Sequence, residues 1–184
     1  MSASVAYRAR VLIDGVYVSG VMTAAHVVNY EGYIYTTGGI PFAKCIRRAL
    51  GGSCDSAFCE IINSNFVPTN SLYGQGGPQL STSTTNPAQG GTVYKLGKNG
   101  LSSGTILETE GTISNDSNTF IHLSFASYNA SGGDSGGLVY KVGLSTRYAA
   151  GIHKGHVTNL SGTLLYSYFT KADVQNSYLG VTRY

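Results

Sequence analysis

The stretch SYNASGGDSGGLVYKV, residues 127–142, sets four glycines (Gly132, Gly133, Gly136 and Gly137) around a single Asp134-Ser135 pair. A surface turn needs one or two glycines, at the positions where φ must be positive. Four of them, followed at once by the apolar run Leu138-Val139-Tyr140, describe a backbone forced close to its surroundings. A serine at the centre of such a loop can act as a nucleophile whose neighbouring N–H groups all face one point.

An alcohol attacks poorly at neutral pH. It needs a base within hydrogen-bond reach, usually histidine, and a carboxylate that fixes the tautomer of that histidine. It also needs N–H donors aimed at the oxyanion, here the amides of Gly133 and Ser135. His26, in MTAAHVV, ends a strand-like segment and follows two small alanines. Asp55, in CDSAFCEI, opens another. Asp14 and Glu60 are rival carboxylates, but Asp14 suits a hairpin turn and Glu60 falls on the wrong side of the strand start. The expected catalytic residues are His26, Asp55 and Ser135, in that order along the chain.

TAAHV, DSAF and GDSGG, in this order, resemble the chymotrypsin-like serine proteases. GKNGLSSGTI is similar to the turn and strand pair ahead of the nucleophile in small bacterial and viral members, and AAGIHKG to the substrate-binding strand behind it. SYFTKADVQNSYLGVTRY resembles the closing strand and helix of the streptogrisin group. The resemblance implies an all-β fold: a double six-stranded antiparallel β-barrel with a short C-terminal helix and the site in the cleft between barrels. It divides the chain, a single protease domain over 1–184, into an N-terminal barrel (1–70), a connection (71–91) and a C-terminal barrel with the helix (92–184).

Composition agrees with that class. Charged residues are 11% and hydrophobic residues 42%, too little charge for disorder. The 25 glycines and 14 tyrosines suit short strands and tight turns. Asp14-Gly15 is a hairpin signal between residues 5–13 and 16–22. Further strands are expected at 33–36, 57–62, 92–96, 104–109, 119–125, 137–142, 148–153 and 163–169. Residues 63–91 are polar and irregular, and one helix is expected over 172–178, capped by Thr170 and ended by Gly180. A net charge of +3, with no basic cluster larger than Arg47-Arg48, gives nucleic-acid binding little support. No apolar run reaches the roughly 18 residues of a membrane span, and the start MSASVAYRARVLIDG has no signal-peptide core. Three glycosylation sequons, at Asn115, Asn129 and Asn159, read as chance in an Asn/Ser-rich chain. The three cysteines (Cys45, Cys54, Cys59) have no zinc spacing; they are expected to be reduced, with a Cys45–Cys54 bridge as the alternative. No metal or organic cofactor is expected.

The family pattern is not followed everywhere. Secreted members usually carry a cysteine just after the catalytic histidine and a pair bracing the nucleophile loop. Here Val27 follows His26 and no cysteine lies beyond Cys59. These departures, with Gly151-Ile152-His153 as a GxH motif on the binding strand, lean toward a viral polyprotein-processing 3C-like serine protease in the host-cell cytoplasm. The alternatives are a secreted, extracellular streptogrisin-like microbial protease and a non-catalytic peptide-binding paralogue. A start at Met1-Ser2-Ala3 makes activation by an inserted Ile or Val terminus unexpected. Buried Asp134 then needs another cation; Lys95, in VYKLGK, stands where the resembling bacterial enzymes carry a basic residue and is the expected one.

Specificity is expected from Asn129 and Ala130 and from the strand His153, Lys154, Gly155 and His156, with Tyr166 and Ser167 as helpers. Trypsin-like members place a carboxylate where Asn129 stands, so Arg or Lys substrates are disfavoured. A histidine at 153 can donate to a carboxylate or amide oxygen. The polypeptide substrate is therefore expected to be cut after Glu, with Gln second, while paired as an extra strand beside residues 153–155.

Overall fold

Asp14-Gly15 reverses the chain as its sequence requires. Strand β1 (Arg8–Ile13) pairs antiparallel with β2 (Val16–Thr23), Ile13 opposite Val16, and both turn residues take positive φ, 50° and 80°. The structure, a computed structural model, describes residues 3–114 and 117–184. Met1, Ser2 and the first two residues of the Asn115 sequon lie outside the described residues.

Beyond β2 the first sheet continues through β5 (Cys54–Ile61), β4 (Pro41–Gly51) and β3 (Tyr33–Tyr35). Its other edge is covered by β13 (Val181–Thr182), which returns from the end of the chain to pair with β1. The second sheet runs β10 (Leu138–Val142), β7 (Thr92–Gly97), β8 (Gly100–Ser114), β9 (Thr119–Ala126), β12 (Leu164–Lys171), β11 (Arg147–Thr158) and β6 (Leu80–Thr84). Pairing of β10 with β11 closes it into a barrel, so the strands beside the site expose little open ladder. The first sheet has the expected six strands and the second has seven. The extra strand, β6, forms inside the polar connection and adds in parallel to β11, with Leu80 buried.

Strand β4 has no counterpart among the expected strands. Lys44, Arg47 and Arg48 break its apolar alternation, yet the arginines are spent on distant carbonyls: Arg47 donates to Leu179 O at 2.6 Å, and Arg48 Nε to Ala25 O and Val28 O at 3.0 and 2.9 Å. Helix α1 (Ala172–Leu179) ends at Gly180 as expected, but Thr170 does not cap it. The N-cap is Lys171, because Thr170 is still buried strand; its hydroxyl donates to Ile152 O at 3.4 Å and accepts from Gln175 Nε2.

All three cysteines are free and buried. The β4–β5 register sets Cys45 against Cys59 and Cys54 against Gly51, which puts Cys54 at the far end of the hairpin and rules out the Cys45–Cys54 bridge. One core serves both sheets: Met22 and Phe58 pack in the same buried cluster as Leu138, Tyr140 and Ile152, with Ala172 and Leu179 from the helix. Phe58 is completely buried there, three residues from Asp55. Phe58→Ala should therefore destabilise the fold by about 3–5 kcal/mol. Urea unfolding checks this as a lower midpoint at unchanged slope.

Candidate active site

His26 sits on a short 3-10 turn, Ala25–Val27, directly after β2. Ala24 and Ala25 are fully buried, and a larger side chain at either would lift the turn off the sheet. Asp55, the second residue of β5, is also fully buried. Its Oδ1 accepts the backbone N–H of His26 at 3.0 Å, and its Oδ2 lies 2.7 Å from His26 Nδ1. An ionised carboxylate only accepts, so Nδ1 carries the proton and Nε2 is left as the basic nitrogen. The ring remains 31% exposed, open toward the cleft. Arg48 holds the turn from behind through the two carbonyls already described.

A third donor reaches the same carboxylate: Lys154 Nζ is 2.6 Å from Asp55 Oδ2. Burial alone would raise the Asp55 carboxyl, but the bonds and charges of His26 and Lys154 outweigh it and hold the group below the usual carboxylate range.

Ser135 lies in the loop between β9 and β10. Its hydroxyl donates to Lys154 O at 3.3 Å in this structure rather than to the imidazole. The preceding turn is closed by Asp134 N–H donating to Ser131 O at 3.1 Å, with Gly133 at φ 97°, a value that a side chain would oppose. Among the described residues, the N–H groups of Gly133 and Ser135 have no hydrogen-bond partner. Gly136 answers a different need: a Cβ there would overlap Thr23 Oγ1 and the Ser4 carbonyl. The loop is thus wedged against β2 and the segment before β1, where Ser4 N–H donates to Ser135 O at 2.9 Å and Ser4 Oγ to Gly133 O at 2.8 Å.

Asp134 points away from the cleft and forms the expected pair with Lys95. Oδ2 accepts Lys95 Nζ at 2.7 Å and Ser131 N–H at 3.1 Å, and Oδ1 accepts Asn99 N–H at 3.0 Å. Burial pushes this carboxyl up; Lys95 and the two amides pull it further down, leaving it below its ordinary value.

The strand residues proposed for substrate divide into groups. His153 is 1% exposed, and its own N–H and C=O are taken by Gly137 O and Gly136 N–H at 2.8 and 2.9 Å. Among the described residues, the β11 edge that pairs with β10 is therefore left open from Lys154 onward, where a bulge interrupts the register with β12 on the other edge. His153 Nδ1 lies 2.9 Å from Tyr128 OH. Burial, aided by the charge of Asp134, pushes the Tyr128 phenol well above its usual value, so it stays protonated and can donate to Nδ1. Burial pushes His153 down to about 3 against the pull of Asp134. The imidazole is accordingly neutral, with Nε2 left without a hydrogen-bond partner among the described residues. Ser167 Oγ donates to Tyr128 O at 2.8 Å and steadies this pair. Gly155 and His156 are half-buried, Asn129 exposed and Ala130 half-buried. Tyr166 is not gathered with His153; it stacks on Phe125, ring centroids 4.8 Å apart.

Sequence reasoning missed Tyr128, Arg48 and the side-chain role of Lys154. Tyr128 stands seven residues before Ser135 and gave no signal beyond being aromatic. Among the described residues, no group of three or more His, Cys, Asp or Glu is placed to hold a metal ion, and no helix is long and apolar enough to cross a membrane.

The architecture is that of the chymotrypsin-like serine proteases. Thermobifida fusca protease A superposes with a TM-score of 0.79 over 98% of this chain and 90% of that one, at 21% sequence identity. Nocardiopsis protease does so with a TM-score of 0.77 over 99% and 96%, at 23% identity. A glutamic-acid-specific serine protease that uses a histidine triad in substrate binding gives 0.77 over 99% and 98%, at 20% identity. No protein-family model matches the sequence, and comparison with curated proteins gives no match.

Both buried carboxyls fold with depressed values, so the unfolded chain takes up their protons first as pH falls. Their contribution to stability is complete above the unfolded value, about 4, and is lost as pH falls through the lower folded values. Lys95→Met leaves Asp134 charged and buried without its cation. It should cost about 3–5 kcal/mol at neutral pH. It should also move acid unfolding to higher pH, as read by circular dichroism between pH 2 and 7.

Proposed function

We propose that the protein is a serine endopeptidase that works through His26, Asp55 and Ser135. The observation that carries this reading is the buried Asp55 carboxylate bonded to both the backbone and Nδ1 of His26, which leaves Nε2 as a base facing the cleft. Ser135 Oγ, released from the Lys154 carbonyl when a substrate N–H claims that acceptor, passes its proton to Nε2 as it attacks the peptide carbonyl. Asp55 stabilises the imidazolium. The oxyanion is taken up by the Gly133 and Ser135 amides, whose lack of partners among the described residues supports that role. His26 then protonates the leaving amine. A water activated by the same nitrogen hydrolyses the acyl-enzyme.

The substrate's residue before the cut is read by His153. A neutral imidazole with Nδ1 satisfied offers one N–H and no positive charge. That matches the carboxamide oxygen of Gln, whereas a Glu carboxylate would be desolvated without a cation. The proposal therefore ranks Gln ahead of Glu, the reverse of the order expected from the sequence. The histidine-using, glutamic-acid-specific relative supports placing both in the accepted class. Likeness to bacterial proteases favours a microbial enzyme; the viral polyprotein reading is supported by the unstapled barrel and the GxH motif alone.

Digestion of a proteome-derived peptide library tests activity and preference together. The expected result is cleavage after Gln, with Glu weaker, lost by at least 10³-fold in Ser135→Ala. Cleavage mainly after Arg, Lys or Phe would remove the role of His153, and cleavage that survives Ser135→Ala would remove that of the serine.

A further inference from the structure

We propose that Lys154 is a positioning residue of the catalytic apparatus, holding the Asp55 carboxylate with its ammonium and the Ser135 hydroxyl with its carbonyl. The inference rests on the serine-endopeptidase reading and adds to it a fourth member from the strand that reads the substrate.

The two ends of Lys154 do different things. Its Nζ is 2.6 Å from Asp55 Oδ2, the oxygen that also receives His26 Nδ1. Its carbonyl accepts Ser135 Oγ at 3.3 Å. The bulge between His153 and Gly155 frees the residue from the β11–β12 register, so that its side chain and carbonyl can reach separate partners. The side chain is 9% exposed, which removes it from direct contact with a substrate side chain in the open cleft. The ammonium also lies 3.5 Å from the centre of the Phe120 ring, a cation–π seat on β9. Phe120 is fixed in turn by the bonds of its neighbours to Gly52, Gly52 N–H to Thr119 O at 3.1 Å and Ile121 N–H to Gly52 O at 2.9 Å. Lys154 thus ties a carboxylate of the first sheet to two strands of the second, across the cleft.

An ammonium is an expensive group to bury, and a lysine retained between a carboxylate and a ring must be matched by both. Its positive charge favours the anionic form of Asp55 and lets that form persist to lower pH than the His26 contact alone would. Other titratable and charged groups face the carboxylate less directly. His26 is on the 3-10 turn; Arg48 on β4 is committed to the Ala25 and Val28 carbonyls. Cys54 on β5 and Tyr168 on β12 are neutral neighbours whose own protons are held more tightly by burial and, after it, by the Asp55 charge. His153 and His156 share β11 with Lys154, and Asp173 on α1 is bonded to Asn86. Among the described residues, His26 and Lys154 supply the side-chain donors to Asp55.

The test is the second-order rate of inactivation by a fluorophosphonate from pH 5 to 9, for the wild type, K154M, K154Q and K154R, with the melting temperature of each. Removing the charge in K154M or K154Q lets the Asp55 carboxylate favour a protonated His26 ring, which is no longer a base, so the reaction should slow about tenfold near pH 6 and its acid limb should move up by about one pH unit, one unit being a tenfold change in the fraction of the reactive form. K154R, which keeps the cation, should recover most of both. A K154M or K154Q protein with wild-type rate and limb overturns the proposal. So does equal slowing of all three variants at every pH, which marks a structural role alone. Failure of the wild type to react at any pH contradicts the protease reading instead. If the neutral variants do not fold, the ¹⁵N–¹H signal of the Lys154 ammonium in the unmodified protein decides: slow exchange supports the clamp, and free exchange overturns it.

Discussion

A carboxylate closed off from water must have its oxygens met by donors or it does not stay charged. Asp55 is such a group, and its donors come from separate parts of the chain: backbone and ring of His26 on the turn after β2, and Lys154 from the second sheet. An unpaired charge in that position costs several kcal/mol, more than most single apolar contacts contribute. Satisfying it therefore fixes how the turn, β5 and the strand β11 lie relative to one another, and the cleft follows. Asp134 imposes the same rule on the loop around Ser135, where Lys95, Asn99 and Ser131 answer it.

The loop around Ser135 is shaped from both directions. Asp134 draws it inward on the side of β7, while Gly136 lets it close against Thr23 and Ser4 on the side of the first sheet. Among the described residues, what the loop leaves without a partner is small, the amides of Gly133 and Ser135, with the Ser135 hydroxyl held only by the Lys154 carbonyl at 3.3 Å. The shared core beneath, with Phe58 and Ile152 in one cluster, makes the two sheets a single packed unit and limits their relative movement.

Much of this was legible beforehand. The hairpin at Asp14-Gly15, the end of the helix at Gly180 and the all-β class follow from local chemistry that no tertiary contact overrode. The Lys95–Asp134 pair was legible because burying an aspartate demands a cation and the resemblance put a basic residue at position 95. Strand β4 was not, since Arg47 and Arg48 look like solvated charges until the carbonyls that they serve are in place. Thr170 looked like a cap because its buried partners, Ile152 and Gln175, are remote in sequence or lie inside the helix that it was meant to start. The side chain of Lys154 was assigned to substrate for the same reason: sequence places it on the binding strand, and only the bulge turns it toward Asp55. Tyr128 acquires its meaning from His153, twenty-five residues away.

The central claim is that Ser135, and no other hydroxyl of the chain, becomes an acylating nucleophile through His26. Peptide mapping by mass spectrometry after reaction with a fluorophosphonate addresses it most directly. The account predicts one phosphonyl group per molecule, carried on Ser135 and absent when His26 is replaced by alanine. An unmodified Ser135 in folded protein, or an adduct on another residue, would contradict it.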